Sequence, residues 1–266
     1  MLGISLISKK KLKQILKNMK KLDNKVALVT GASKGIGASI AKSLAAEGAS
    51  VVVNYASAKD GAEKVVSEII SSGGKAVAVQ GDVSNAQQAE NLVNAAIKHF
   101  GKLDIVVNNA GVFDMRPLEA IDESNYRLLF DVNVLGTLLV TKAASPFLSE
   151  GSSVINISSQ VTSFTPPASV IYTASKGAVD SITSVLAKEL GSRKIRVNAI
   201  SPGTTETEGT RAAGFIGSPF EAQLAAQTPL GRTGQPDEIA AVAVFLASDD
   251  ARWVTGEKIA ASGGFR

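Results

Sequence analysis

Short apolar runs rich in β-branched residues alternate along the chain with stretches of helical periodicity. The runs predict seven strands, near residues 26–30, 50–54, 76–80, 104–108, 153–158, 195–200 and 257–261. Between them, apolar positions recur at helical spacing and predict helices near 35–48, 58–72, 85–100, 123–145, 171–190 and 237–247. Strict alternation indicates a doubly wound α/β fold, with one seven-stranded parallel sheet, right-handed crossovers and helices on both faces.

The chain shows no internal repeat, low-complexity block or linker, and 266 residues suffice for one large core. We therefore predict a single domain over 22–266, preceded by a basic and loosely packed extension over 1–21. The least regular part of the domain is 204–226, where Gly214 and Gly217 flank an apolar pair. That arrangement suits a lid over a ligand, and an ordinary surface excursion is the alternative.

Composition removes several classes of enzyme. The absence of cysteine excludes disulfides, thiolate zinc sites and cysteine nucleophiles. The one histidine, His99, falls near the end of a helical stretch and fits a surface position, so histidine-dependent dehydrogenases and zinc alcohol dehydrogenases are excluded as well. We predict no metal site. No run of eighteen or more apolar residues occurs, so no integral membrane segment is predicted.

The net charge of +4 arises at the N-terminal end. Residues 1–25 hold eight lysines and one aspartate, a net +7, and the other 241 residues hold 20 basic and 23 acidic side chains, a net −3. The domain itself therefore lacks the excess of basic residues that is typical of nucleic-acid-binding proteins. The lysines follow the first apolar segment and arginine is lacking there, which disfavours secretory and mitochondrial signals and favours a cytoplasmic location.

Within the extension, apolar residues fall at helical spacing among the lysines, at Leu12, Ile15, Leu16, Met19 and Leu22. This pattern fits a basic amphipathic helix at a membrane surface or a partner. Alternatively, Met19 begins an ordinary domain, and residues 1–18 come from an upstream start.

The first predicted strand runs directly into a glycine-rich turn and then into a helical pattern. Glycines at 31, 35 and 37 allow a tight turn and bring free N–H groups at the helix start toward a pyrophosphate. A glycine-rich turn without a ligand is the alternative, because the spacing differs from the common G-x-G-x-x-G fingerprint. The placement between strand and helix favours a nucleotide site.

Tyr172 and Lys176 are four residues apart, on one face of a predicted helix. A tyrosine hydroxyl ionises near pH ~10, and an adjacent ammonium favours the phenolate. We therefore expect Lys176 to lower the tyrosine pKa toward working pH, which suits an acid/base group. A half-buried tyrosine beside a solvated lysine is the alternative.

Five motifs occur in the order and spacing of the short-chain dehydrogenase/reductase family, which the chain resembles over about 22–266. They are Thr30-Gly-Ala-Ser-Lys-Gly-Ile-Gly37, Asn108-Asn-Ala-Gly111, Ser159, Tyr172-x-x-x-Lys176 and Pro202-Gly203. The resemblance implies a Rossmann-type fold and a hydride-transferring oxidoreductase of the compact branch. It also implies a homotetramer that pairs through 123–145 and 171–190, with 254–266 in a further interface.

The predicted cofactor is NADP(H), with NAD(H) as the alternative. Dinucleotide enzymes that prefer NAD place a carboxylate at the end of the second strand, whereas this end reads Asn54, Tyr55, Ala56 and Ser57. Lysines at 34 and 59 attract a 2′-phosphate, although Lys34 is alternatively a solvated charge. The resemblance assigns further cofactor contacts to Gly31, Ser33, Lys34, Gly35, Ile36, Gly37, Asp82, Val83, Asn108, Asn109, Ala110, Gly111, Tyr172, Lys176, Pro202, Gly203 and Thr207.

By the same resemblance, Tyr172 gives its proton to the carbonyl oxygen and Lys176 also bonds the nicotinamide ribose. Ser159, thirteen residues before the tyrosine, bonds the same oxygen, and this spacing selects it over the adjacent Ser158. Asn133 resembles the asparagine that holds a water between the lysine and solvent. Without the resemblance, the alternative interpretation is that Ser159 caps the end of a strand and that Asn133 is a polar residue within a helix.

A mainly apolar set is predicted to line the substrate site, namely Phe113, Met115, Gln160, Val161, Phe164, Phe215 and Phe220. It suits a small-molecule ketone or an acyl chain. The resemblance favours a carbonyl reductase or 3-oxoacyl carrier-protein reductase. A sugar dehydrogenase of the glucose type is the alternative, and a non-catalytic dinucleotide sensor is a remote one.

Two departures from the family pattern bear on the substrate. Arg193 matches a carrier-docking position, but Glu150 occupies another, which weakens the acyl carrier assignment. Ser262 replaces the more usual aspartate before the paired glycines, and the sequence offers no explanation for it.

Overall fold

The computed structural model describes residues 20–266. The predicted extension up to residue 19, with its helical pattern, lies outside the described residues. Leu22 is fully buried, and Lys21 pairs with Asp250 at 2.7 Å. The domain boundary at residue 22 stays a prediction.

Seven parallel strands form one sheet in the order β3-β2-β1-β4-β5-β6-β7. The strands are β1 Val26–Val29, β2 Ser50–Tyr55, β3 Lys75–Gln80, β4 Ile105–Asn108, β5 Ser153–Ile157, β6 Arg196–Pro202 and β7 Lys258–Ala261. The strand order reverses between β1 and β4, and doubly wound sheets bind ligands at that point, beyond the carboxyl ends of the strands. The predicted fold class and all seven strands are confirmed.

Helices connect the strands and cover both faces of the sheet. They are α1 Gly35–Ala46, α2 Lys59–Ser71, α3 Ala86–Phe100, α4 Glu123–Phe130, α5 Gly136–Ala144, α6 Val161–Phe164, α7 Val170–Gly191, α8 Glu208–Ala212, α9 Pro219–Gln227 and α10 Pro236–Ala247. Successive β1 residues point to opposite faces, so Ala27 packs with α1, α2 and α10, and Leu28 packs with α3, α5 and α7. Both faces are therefore core, which explains the near-continuous apolar runs.

The structure differs from the prediction in two segments. The helix expected over 123–145 is divided by a wider helical turn, Asp131–Leu135, that contains the buried Asn133. The segment expected to be irregular, 204–226, forms α8 and most of α9. Thr207 and Ser218 cap these helices by accepting hydrogen bonds from N–H groups three residues later.

The helical run Glu123–Phe147 has the length and mean hydropathy, 1.4, of a membrane-crossing helix, which the sequence prediction did not anticipate. In the fold, 39% of its most apolar window is buried, and Val140 and Ala144 belong to the core under the sheet. A core helix meets the same criterion of length and composition. The run is therefore weak evidence for a membrane span.

Candidate active site

The glycine turn after β1 is packed tightly against the turn after β4. Gly31 has a positive φ of 59°, and a Cβ there would lie 2.8 Å from the Cα of Ala110. A Cβ on Gly37 would lie 2.3 Å from Asn109 Nδ2 and 2.5 Å from the Gly31 oxygen. Glycine is therefore required at both positions, because atoms of the two turns fill the space that a Cβ would occupy.

Thr30 and Asn109 hold these two turns together. The Thr30 hydroxyl accepts hydrogen bonds from the N–H groups of Asn109 and Ala110, both at 3.0 Å. The Asn109 amide donates in return to the Thr30 and Gly31 oxygens at 2.9 and 3.0 Å. The sequence reasoning did not give Thr30 a role of its own, although a threonine that ends a strand before a glycine turn is a readable signal.

The N–H group that begins α1 is already bonded, contrary to the expectation of free N–H groups there. Gly35 N–H donates to the Glu208 carboxylate at 2.9 Å. Because Glu208 opens α8, one carboxylate joins the segment after β6 to the glycine turn. The sequence prediction missed this contact.

The predicted cofactor residues at the ends of β2 and β3 divide into buried and exposed groups. Asn54 is 1% exposed, and its side chain bonds Gly31 N–H at 3.0 Å and the Gly81 oxygen at 2.9 Å. It thus positions the glycine turn instead of offering its amide to a ribose. Tyr55 and Val83 are also buried, whereas Lys34, Ala56, Ser57 and Asp82 are exposed and Ser33 and Ile36 are partly exposed.

The four predicted catalytic residues come together beyond β4 and β5. Lys176 Nζ donates to the Ile157 oxygen at 2.8 Å. A Cβ on Gly111 would lie 3.4 Å from that Nζ and 3.2 Å from Asn133 Oδ1. Ser159 follows β5, and its side chain lies close enough to Tyr172 to influence the pKa of the phenol. One small region therefore holds all four side chains.

Asn133 is fixed on every side. Its Oδ1 accepts from Val112 N–H at 2.9 Å, and its Nδ2 donates to the Val112 oxygen and to Ser175 Oγ, both at 3.0 Å. The wider turn of Asp131–Leu135 aims this amide at the segment after β4. Ser175, directly before Lys176, is a member of the site that the sequence reasoning missed.

The expected pKa of the tyrosine is wrong in sign. Burial raises the pKa of Tyr172, and the hydrogen bond with Ser159 only partly opposes this. Burial also lowers the pKa of Lys176 to about 8, opposed by the negative charge of Asp180. Loss of water is the largest cause of both shifts, and the Lys176 ammonium is bonded to the Ile157 oxygen.

The segments after β6 and β7 close the other side of the crevice. Gly203 N–H donates to the Ala261 oxygen at 2.9 Å, and a Cβ there would lie 2.8 Å from Ser262 Cα. Thr207 Oγ1 accepts from Thr210 N–H at 3.1 Å, as the cap of α8. Pro202 is buried, and its oxygen accepts from Gln160 N–H at 2.9 Å.

The C-terminal turn explains Ser262, which the sequence left open, and corrects the role predicted for Gln160. Ser262 Oγ and Gln160 Nε2 both donate to the Phe265 oxygen, at 2.9 and 2.8 Å. Ser262 therefore fastens this turn. Gln160 is 5% exposed and serves the same turn, so it does not line the substrate site as predicted.

Three aromatic pairs involve residues of the predicted substrate site. The Phe113 ring meets the Tyr172 ring edge-on, with centroids 6.2 Å apart. Phe164 packs against Phe265 at 4.9 Å, and Phe215 against Phe220 at 5.7 Å. Phe113 and Phe220 are about half exposed, at 55% and 49%, and thus offer apolar surface to a ligand.

Comparison with known proteins gives concordant matches. Residues 31–266 match the family model described as enoyl-(acyl carrier protein) reductase. An uncharacterized oxidoreductase of Methylorubrum extorquens is 62% identical over 248 residues, which cover 93% of this chain and 100% of that protein. Versicolorin reductase of Emericella nidulans is 40% identical over 254 residues, 92% of this chain and 96% of the relative.

A solved structure gives the same result at the level of the fold. The short-chain dehydrogenase of Burkholderia cenocepacia in complex with NADP has a TM-score of 0.87 and 34% identity, covering 92% of this chain and 98% of that chain. The topology, the motifs around Tyr172 and these matches agree, and the chain belongs to the short-chain dehydrogenase/reductase family of oxidoreductases.

Proposed function

We propose that the protein is an NADP(H)-dependent carbonyl reductase that interconverts a ketone and a secondary alcohol. The observation that carries the proposal is the meeting of Asn133, Ser159, Tyr172 and Lys176 beyond the carboxyl ends of β4 and β5. All four groups can bond oxygen or move a proton, and their surroundings are largely buried. A non-catalytic sensor would have no use for this buried set.

The crevice fits a dinucleotide. The glycine turn after β1 leads into α1 where the strand order of the sheet reverses, and doubly wound sheets bind dinucleotides at that point, with the pyrophosphate at the helix N-terminus. At the end of β2, Ala56 and Ser57 are exposed and neither is acidic, and Lys34 in the glycine turn is exposed as well. This supports NADP(H), the ligand of the related Burkholderia structure.

The bound nicotinamide supplies the hydride. The chain supplies the proton, because Tyr172 Oη is poised to give it to the carbonyl oxygen when the alcohol forms. The raised pKa of Tyr172 keeps the phenol protonated at neutral pH, which suits reduction. The Ser159 hydroxyl stabilises the same oxygen, and Asn133 holds the segment after β4 against Lys176.

The Phe113 ring beside Tyr172, together with an aromatic pair in the segment after β6, favours an apolar, ring-containing ketone as the substrate. Phe113 stands edge-on to the tyrosine, and Phe215 and Phe220 form a second aromatic pair in the segment after β6. Such surfaces stack on flat apolar rings. Versicolorin reductase, at 40% identity, is a named reductase among the relatives.

Docking of an acyl carrier protein has less support. The Arg193 guanidinium donates to the Ser145 and Leu148 oxygens at 2.7 and 2.8 Å, and Glu150 pairs with Lys194 at 2.7 Å. The basic group that would meet a carrier is therefore engaged inside the chain.

A substrate panel tests the proposal. Consumption of NADPH is measured with α-tetralone, with an acetoacetyl thioester and, in the oxidative direction, with glucose. We expect the highest kcat/KM for α-tetralone. Turnover of glucose alone would favour a sugar dehydrogenase, and no turnover of any carbonyl by a protein that binds NADPH would favour the sensor.

Lys34→Ala is expected to weaken NADPH binding by roughly 10- to 100-fold and leave NADH binding unchanged, because one charge-assisted hydrogen bond to the 2′-phosphate is lost. Fluorescence titration with both cofactors measures the two Kd values. Lys98→Ala, which removes an exposed lysine in the last turn of α3, is the matched control. Equal loss for both cofactors would contradict a role at the 2′-phosphate.

We also propose a cytoplasmic homotetramer. Large apolar side chains are exposed on α4, on the turn that follows it and on α7, including Tyr126 (48%), Leu135 (40%) and Val185 (52%), and Trp253 near β7 is 98% exposed. Light scattering of the full chain is expected to give about four times 27.4 kDa. A monomer would contradict this assembly.

A further inference from the structure

Asp180 lies one helical turn beyond Lys176, on the same face of α7. Its carboxylate accepts hydrogen bonds from Ser158 Oγ at 2.5 Å and from Lys258 Nζ at 3.2 Å. Ser158 directly precedes Ser159. We propose that Asp180 is a positioning residue, whose carboxylate is the counter-charge of Lys176 and, through Ser158, holds the turn that carries Ser159. The inference rests on the proposed function.

Two cationic groups and one hydroxyl group act on Asp180 in the described part of the chain. Lys176 lies on the same helix, Lys258 is in β7, and the Ser158 hydroxyl follows the end of β5. Lys258 is itself shared, because its Nζ also donates to Thr162 Oγ1 at 3.1 Å. The Asp180 side chain is 19% exposed and that of Lys258 is 38% exposed, so water screens the outer lysine more than the inner one.

Lys176 depends on such a counter-charge. Lys176 is 5% exposed, and within the described residues its ammonium donates to the neutral Ile157 oxygen and to no carboxylate. Burial alone favours the neutral amine, and Asp180 opposes that effect.

The sign of the effect on pH dependence follows from charge alone. Reduction needs the Tyr172–Lys176 pair in its fully protonated form, and activity falls as pH rises through the apparent pKa of the pair. Removing the negative charge of Asp180 makes loss of a proton easier from either member. The alkaline limb of the reductase profile must therefore move to lower pH.

The test is the pH profile of kcat/KM for ketone reduction. For Asp180→Asn we expect an alkaline limb about one pH unit below that of the wild type. Ser158→Ala keeps the negative charge of Asp180 and removes the hydrogen bond that holds the turn of Ser159. We therefore expect kcat to fall and the alkaline limb of the pH profile to stay at the same pH. Lys258→Met removes the second cation that pairs with Asp180, and we expect it to move the alkaline limb of the pH profile to higher pH.

A second readout needs neither cofactor nor substrate. Tyrosinate absorbance is titrated in the wild type and in Asp180→Asn, each minus the same protein with Tyr172→Phe, so that only Tyr172 is followed. We expect a lower midpoint in Asp180→Asn. An unchanged midpoint together with an unchanged pH limb would overturn the proposal.

The two readouts also separate this inference from the proposed function. If the wild type reduces no carbonyl, the proposed function fails, and the tyrosinate midpoints still decide the role of Asp180. If Asp180→Asn does not fold, judged by its circular dichroism, Lys258→Met decides. An upward shift supports the inference, and no shift or a downward shift overturns it.

Discussion

Tyr172→Phe is expected to lower kcat for ketone reduction by about 10³- to 10⁴-fold, the range for removal of a positioned proton donor. The change deletes one oxygen and keeps the ring, whose edge contact with Phe113 at 6.2 Å does not involve the hydroxyl. The glycine turn and Lys34 are untouched. The Kd for NADPH is therefore expected to stay within about twofold, because the effect lies in the transition state.

Steady-state kinetics and a fluorescence titration with NADPH measure the two quantities. Tyr126→Phe is the matched control, since Tyr126 is 48% exposed on α4 and stacks on Phe130. It should retain full activity. A Tyr172→Phe protein with kcat within tenfold of the wild type would contradict the assignment of the proton to Oη.

Much of the fold could be predicted because the sheet is buried on both faces. The apolar runs 50–54 and 153–158 fall within one residue of β2 and β5, since a strand covered by helices on both sides needs apolar residues throughout. The start of α9 does carry a helix signal, with Ser218, Pro219 and Glu221 at its first positions. The prediction missed this helix because it is exposed and only weakly amphipathic.

Other features depend on contacts that no local pattern reveals. The division of the predicted helix over 123–145 accompanies the bonds of Asn133 to Val112 and Ser175, which are distant in sequence. Likewise, the inward orientation of Asn54 follows from its bonds to Gly31 and Gly81. The sequence pattern at a strand end does not distinguish an asparagine that faces the crevice from one that faces the core.

The candidate site was predicted from motifs, but not its electrostatics. The spacing of Tyr172 and Lys176 gives their shared helix face correctly. Burial raises the pKa of Tyr172 against the Ser159 hydrogen bond, and lowers the pKa of Lys176 against the charge of Asp180. How deeply the two side chains are buried is a property of the folded chain that their spacing does not reveal.

Gly37→Ala is expected to destabilise the domain by about 1–3 kcal/mol and to weaken NADPH binding by more than about tenfold. The new Cβ would lie 2.5 Å from the Gly31 oxygen, a backbone atom, and 2.3 Å from Asn109 Nδ2. Asn109 cannot swing away cheaply, because its amide bonds the Thr30 and Gly31 oxygens. The turns after β1 and β4 must therefore move apart, which distorts the proposed binding site of the pyrophosphate.

Thermal unfolding and a titration with NADPH measure these effects, with a fall in Tm of several degrees expected for a domain of this size. Gly191→Ala is the matched control. Gly191 is the last residue of α7, and a Cβ there meets nothing within 4 Å, so the change should be neutral or stabilise the domain by up to about 1 kcal/mol. If the two alanine variants had the same Tm and the same Kd, the close contact between the glycine turn and Asn109 would not constrain the cofactor site.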